Sequence, residues 1–387
     1  MVAPPAQKPM LLSLQACRIV GAVAVVIFHT AISARAYGMP PPDWAERAVH
    51  YFPIAIDFFF VASGFIVYYV SEPMAGQSGS IRHYFELRLS RVFITYLPIG
   101  LGLAALYVLL PWARGAEHHW TWFTTLTLLP SDGQAALIPA WTLQHELAFF
   151  LILGAAFAIK RPLLTMMVWA IVLLAVRLPI GPGENPFLSL ANLDFVWGVF
   201  AAAALRKGWS IRAGTLWFIA GLAAAAHIVI GAPIFSPVAG IGFASLMVLM
   251  VRADLVRPLR LPVWLAVVAD STFAIYLVNL PLISIVLRAG HRVGANWLPA
   301  ALVGLAASFL AGVAYYLAYE RRAIGWARTG FDRAHAARLA IALNTADEPP
   351  VPPVVQTQPG LPPAAASVFQ ITSPANHKPS PGTAVRK

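Results

Sequence analysis

The sequence contains one cysteine, Cys17, in 387 residues. A lone thiol excludes an intramolecular disulfide framework and a cysteine-ligated metal cluster, and packing is the expected role for Cys17. Charge is also scarce. Charged residues make up 11% of the chain against 59% hydrophobic ones, and 16 acids face 27 lysines and arginines. A mean hydropathy of +0.70 excludes an ordinary soluble domain. The net charge of +11 needs no nucleic acid partner, because membrane topology and contact with anionic lipids account for it. No inverted internal repeat of the kind common in transporters is visible. The first apolar run is too long for a signal-peptide core and has no small-residue cleavage site after it, so it is expected to stay as a span.

What is present is a series of apolar runs long enough to cross a bilayer. Ten are expected, at 11–34, 52–70, 92–112, 141–159, 162–178, 190–205, 213–231, 234–251, 262–287 and 297–319. The fold class is therefore an all-α polytopic membrane protein. With the N-terminus inside, 17 lysines and arginines between Lys8 and Arg338 fall on inner segments and six on outer ones, which favours cytoplasmic N- and C-termini. The expected organisation is a cytoplasmic N-terminus (1–10), a membrane domain (11–320), a basic juxtamembrane segment (321–343) and a Pro-rich tail (344–387). Trp326 and Phe331 among the basic residues of the third part suggest a helix lying on the membrane surface. The tail holds ten of the chain's 32 prolines without apolar periodicity, a composition that cannot bury enough surface to fold.

Ionisable residues inside such spans are costly and are functional hypotheses by default. Arg18 and His29 lie in the first span, eleven residues apart. At 100° and 1.5 Å per residue they share one helix face, about 16 Å apart. Snorkelling of Arg18 to the headgroups and simple hydrogen bonding of His29 are the structural alternatives. Asp57 stands among phenylalanines in the second span, where a carboxylate must be paired, protonated or facing water. Ser63 and Gly64, just beyond, read as helix packing. Glu146 enters the fourth span, and its neighbour His145 points about 100° away, toward the interface. Asp194 enters the sixth span. By depth, Asp57, Glu146 and Asp194 are all expected near the level of His29. Asp270 falls near the level of Arg18 and could pair with it. Tyr276 and Asn279, farther along the ninth segment, are candidates for support or for lining a passage. Arg88 and Arg91, three apart in the inner loop IRHYFELRLSRVF, present two guanidiniums on one face, where they could anchor a phosphorylated ligand or simply anchor the loop. His118 and His119, in the long outer loop 113–140, lack companions for a metal site.

The order of these fragments resembles the membrane-bound acyltransferase family 3. The residues that carry the resemblance are Arg18 with ten residues to His29, DFFFVASGF at 57–65, RLSR at 88–91, WTLQHEL at 141–147, NLDFVWGVFAA at 192–202 and ADSTFAIYLVNLPL at 269–282. It covers about residues 11–320. The resemblance implies a multi-pass enzyme of the bacterial inner membrane that moves an acyl group, commonly acetyl from acetyl-CoA, onto a hydroxyl of a saccharide or lipid-linked glycan. It also implies that Arg18, His29, Arg88 and Arg91 are required. Two positions depart from the pattern. Asn279 stands where the family has a histidine, and Thr142 replaces a serine after Trp141.

On this reading His29 is the general base, with Asp57 or Glu146 to orient it as the third member of a triad does. Arg88, Arg91 and Arg18 hold the phosphates of the acyl-CoA donor. No resident cofactor or metal is expected; acetyl or another acyl-CoA, such as succinyl-CoA, is a substrate. The alternative from the residues alone is a proton-coupled transporter or flippase using the same intramembrane charges.

Overall fold

A computed structural model describes residues 12–74, 79–114, 118–181, 185–231, 237–257 and 261–346. The expected N-terminal segment 1–10 and nearly all of the tail 344–387 lie outside the described residues. The chain divides into a unit ending at Leu343 and a second unit from Asn344 to Lys387.

The first unit is built from helices. In order they are α1 (Leu12–Ala36), α2 (Asp43–Val49), α3 (Ile54–Ser71), α4 (Ser80–Leu109), α5 (Trp122–Thr127), α6 (Trp141–Ala158), α7 (Pro162–Ile180) and α8 (Asn192–Arg206). They continue as α9 (Ala213–Ile230), α10 (Pro237–Val256), α11 (Val263–Asp270), α12 (Thr272–Arg292), α13 (Trp297–Tyr315) and, after a π-helical turn at Tyr316–Glu320, α14 (Arg321–Ala346). Among the described residues there is no β-strand beyond one isolated bridge between Trp120 and Gln134. The protein is an all-α polytopic membrane protein, and nine helices among the described residues are long and apolar enough to cross a bilayer.

The expected sixth span, 190–205, is short. It forms α8, whose 15 residues reach only about 22 Å against a hydrocarbon core of about 30 Å. Most of α8 is buried by protein, so its environment is set by its neighbours. Gly64 of α3 abuts the carbonyl oxygen of Phe195, and Gly198 of α8 abuts that of Val61. Two glycines thus allow backbone-to-backbone crossing, with α3 and α8 forming the centre of the bundle. Apolar side chains on the outside, such as Val168 and Ile171 of α7 and Trp217 and Phe218 of α9, are exposed, as expected for faces turned toward lipid.

Three more boundaries differ from the expected ones, each for a local reason. The RLSR stretch is not a loop. It belongs to α4, which begins at Ser80, so Arg88 and Arg91 project from a helix wall. The expected span 262–287 is interrupted at Ser271. There Ser271 Oγ donates to the carbonyl of Val268 (2.9 Å) and Thr272 Oγ1 to that of Ala269 (2.8 Å), local bonds that compete with a regular helix. The basic segment 321–343 prolongs α13 as α14 and docks on the start of α4. Arg338 bonds Glu86 (3.0 Å), Asp332 Oδ1 lies 3.2 Å from His83 Nε2, and His335 stacks on His83 at 4.5 Å.

Candidate functional site

The bundle encloses a cavity of about 230 Å³ lined by side chains from six helices. Arg18 comes from α1, Ser63 from α3, Arg88 and Arg91 from α4, Thr142 and Glu146 from α6, and Thr272 and Tyr276 from α12. Phe59, Phe60, Phe150, Phe195 and Phe273 complete the wall. Helical spacing explains the groupings. Residues three or four apart share a face, which pairs Arg88 with Arg91, Thr142 with Glu146, and Thr272 with Tyr276. The bend at Ser271 starts α12 beside the cavity, so its first turn lies in the wall.

Most of these polar groups have a defined hydrogen-bond partner. Arg18 donates to Thr272 Oγ1 (2.9 Å) and Arg88 to Ser71 Oγ (3.2 Å). Ser63 Oγ donates to Glu146 Oε1 (3.1 Å). Thr142 Oγ1 lies 2.9 Å from the Tyr276 hydroxyl, which donates to the Pro139 carbonyl at 2.9 Å. Three guanidiniums therefore share this cavity with one carboxylate. Asp270 and Glu320 act on Arg18 from outside the cavity wall. Walls of this kind favour an anion, because uncompensated positive charge removed from water is costly and guanidinium bonds to phosphate or carboxylate are strong.

His29 stands apart from that cavity. Its Nδ1 is 2.6 Å from Asn279 Oδ1. The amide cannot be turned the other way, because Asn279 Nδ2 donates to the carbonyls of Ile275 (3.1 Å) and Tyr276 (2.6 Å). Oδ1 must accept, so Nδ1 carries the proton and Nε2 keeps a lone pair. Along α12 the order is Thr272, which holds Arg18; Tyr276, in the cavity wall; and Asn279, which holds His29. One helix thus links the arginines to the histidine, with a tyrosine between them.

The structure divides the expected outer layer of His29, Asp57, Glu146 and Asp194 into three. His29 pairs with Asn279. Asp57 and Asp194 adjoin one another between α3 and α8, both fully buried, where Gly240 leaves the room that a Cβ would deny to Asp194. Glu146 joins the arginines. The orienting group on His29 is an amide, not Asp57 or Glu146, and equal depth failed as a guide because it does not specify rotation about each helix axis. Asp270 likewise accepts from Tyr316 (3.4 Å), while Arg18 bonds Thr272. His145, expected at the interface, is buried, with Nδ1 3.1 Å from Asn192 Oδ1 and its ring against Trp141 and Phe60.

Sequence reasoning missed Ser63, Ser71 and Thr272 as partners of the charged groups. Ser63 and Thr272 lie inside the quoted DFFFVASGF and ADSTF fragments, so the signal was a hydroxyl one residue type away from packing. Outside the spans, His118 is held by Gln134 (3.2 Å) and the Ala136 carbonyl (3.2 Å). Burial, only partly offset by those bonds, pushes its imidazole below the ordinary value.

A polytopic helical bundle with a buried arginine-lined cavity and a tautomer-fixed histidine suits transfer of a group from an anionic donor within the membrane. The chain belongs to the acyltransferase domain family, which it matches over residues 11–317, the family its motifs resemble. It is 28% identical over 300 residues to the exopolysaccharide production protein ExoZ of Rhizobium meliloti (strain 1021), across 72% of this chain and 92% of that protein. No solved structure matches the chain.

Proposed function

We propose that this acyltransferase moves an acetyl group from acetyl-CoA to a hydroxyl of a saccharide or lipid-linked glycan, in the inner membrane of a bacterium. The observation that carries this reading is the three-arginine cavity with its single carboxylate, joined through α12 to His29. The name of the similar rhizobial protein, exopolysaccharide production protein, supports a saccharide acceptor. The excess of basic residues on inner loops supports a cytoplasmic position for Arg88 and Arg91, the side that holds acetyl-CoA.

Arg18, Arg88 and Arg91 bind donor phosphates as charge-assisted forks. A cavity of about 230 Å³ is smaller than the roughly 300–1,000 Å³ that encloses a drug-sized ligand, so it takes one part of the donor. The acyl end extends past Tyr276 toward His29. There Nε2 accepts the proton of the acceptor hydroxyl as its oxygen attacks the thioester carbon. The C–O bond forms, the C–S bond breaks, and the proton passes from His29 to the departing thiolate. Glu146, held by Ser63, balances the arginines and keeps their geometry when the anion is absent.

The test is binding and turnover of radiolabelled acetyl-CoA by the purified protein in nanodiscs. Each of Arg88→Ala and Arg91→Ala removes charged hydrogen bonds worth about 1.5–3 kcal/mol, so Kd should rise about 10- to 100-fold. Unchanged Kd in both variants would place the donor elsewhere.

A further inference from the structure

The bundle carries a second concavity that the reaction outlined above leaves unused. It is an open cleft of about 560 Å³ lined by Tyr107, Arg114, Trp120 and Trp122, with Val108 and Thr121 beside them. From these residues we infer that the cleft binds the acceptor as an acidic saccharide chain. The inference rests on the proposed acyl transfer and gives that reaction's acceptor a site and a charge.

Trp120 and Trp122 meet nearly edge to face, 5.1 Å apart at 74°, and Tyr107 lies 6.2 Å from Trp120 at 51°. Aromatic faces carry negative quadrupole charge, which attracts the polarised C–H groups on the faces of a pyranose ring. Indole N–H and phenol O–H groups at the ring edges match sugar hydroxyls. Arg114 adds a fork for a carboxylate or phosphate. A second arginine, Arg288, stands over the Tyr37 ring at 4.9 Å, and both act on Tyr107.

The cleft is also built in advance of any ligand. Its loop is tied by Thr121 N to Gln134 O (3.0 Å) and Gln134 N to His119 O (2.8 Å), and by the two bonds of His118. The Tyr96 hydroxyl, from within α4, donates to the Thr125 carbonyl (2.8 Å). Thr121 caps α5 by accepting from Thr124 N (3.2 Å). A preformed aromatic site loses little entropy on binding. Rings that serve only as a headgroup belt have no need to converge. Trp112, Phe123 and Leu126, all exposed nearby, are available for the belt and lie outside the cleft lining.

Tyr107 is sixteen residues beyond Arg91 on α4, about 24 Å along the axis, so the cleft and the donor arginines sit at opposite ends of one spanning helix. Tyr37 lies eight residues beyond His29 on the chain of α1, and Arg288 nine beyond Asn279 on α12. The corresponding rise is about 12–14 Å. A chain held in the cleft therefore needs about two or three further sugar residues to cover that rise toward His29, while the donor arrives from the other end.

The experiment titrates the purified protein in neutral-lipid nanodiscs, by tryptophan fluorescence, with a uronic-acid tetrasaccharide, a neutral tetrasaccharide of equal length, and vesicles of anionic lipid without sugar. The acidic tetrasaccharide should bind at least tenfold more tightly than the neutral one. Trp120→Ala should weaken both at least tenfold, and Arg114→Gln should weaken only the acidic one. The inference is overturned if neither sugar binds, if both variants bind like the wild type, or if only the anionic vesicles respond, which would make the cleft a lipid-headgroup contact. A uronate on the chain and a lipid-linked diphosphate share this anionic chemistry. Competition by a soluble sugar diphosphate against the uronic-acid probe tells them apart, and displacement by either supports the site. Because saccharide binding is read without donor, its failure is distinct from a failure of acetyl-CoA turnover, which would instead overturn the transfer reaction.

Discussion

Replacing Asn279 by leucine tests the orientation of His29. The bond removed is 2.6 Å long, and its loss leaves an imidazole N–H without a partner in a region short of water, a cost of about 1–3 kcal/mol. The ring avoids that cost by rotating or by shifting its proton to Nε2, and either response withdraws the lone pair from the acceptor hydroxyl. At about 1.4 kcal/mol per tenfold, kcat should fall about 5- to 150-fold. The KM for acetyl-CoA should stay within about twofold, since the arginines are untouched, provided that KM reflects donor binding. Asn279→Asp keeps an oxygen that accepts from Nδ1 and should retain more activity than the leucine variant. Steady-state kinetics on purified protein, with acetyl-CoA binding as the check on folding, measures all of this. A leucine variant with the wild-type kcat, or one whose loss lies wholly in KM for acetyl-CoA, would refute the reasoning.

Other perturbations test neighbouring parts of the structure. Gly198→Ala drives a methyl group into the Val61 carbonyl and backbone, where nothing can yield. It should cost about 1–3 kcal/mol or more and visibly lower Tm, whereas Gly102→Ala, with nothing within 4 Å, should leave Tm unchanged. Glu146→Gln removes the one carboxylate in the arginine cavity and should tighten binding of free coenzyme A several-fold in equilibrium titration; weaker binding would contradict its role as a counter-charge. For His118 the folded state holds the neutral imidazole, its pKa lowered by burial, so the unfolded chain binds more protons below about pH 6.5. Its contribution to stability is present above that value and is lost as pH falls. The fall in Tm from about pH 8 to about pH 5 should therefore be smaller in His118→Asn than in the wild type.

Hydropathy revealed the helices because burying a backbone in lipid demands internal hydrogen bonding, a requirement written into every apolar run. The short run 190–205 forms α8, which is sheltered by protein along most of its length, and a helix held among other helices need not match the full hydrocarbon thickness. The arginines were legible as a set, since guanidiniums in apolar sequence are costly wherever they point. Their partners were not. Glu146 was expected at the depth of His29 but sits with Arg18, Arg88 and Arg91, a placement that only packing fixes. Asn279 looked like the loss of a titratable group, whereas its two bonds to the Ile275 and Tyr276 carbonyls make it a rigid acceptor for His29. The break at Ser271, which brings Thr272 to Arg18, depended on two hydroxyls bonding back to their own chain, a local competition that apolar periodicity does not register.

The most direct measurement is transfer of label from radiolabelled acetyl-CoA to an acidic oligosaccharide by the purified protein and by His29→Gln. The wild type should form an alkali-labile acetyl ester on the sugar. The variant should lose at least about 100-fold of that transfer, the scale of general-base catalysis, with acetyl-CoA binding retained. Equal transfer by the two proteins would contradict the role of His29 as the base.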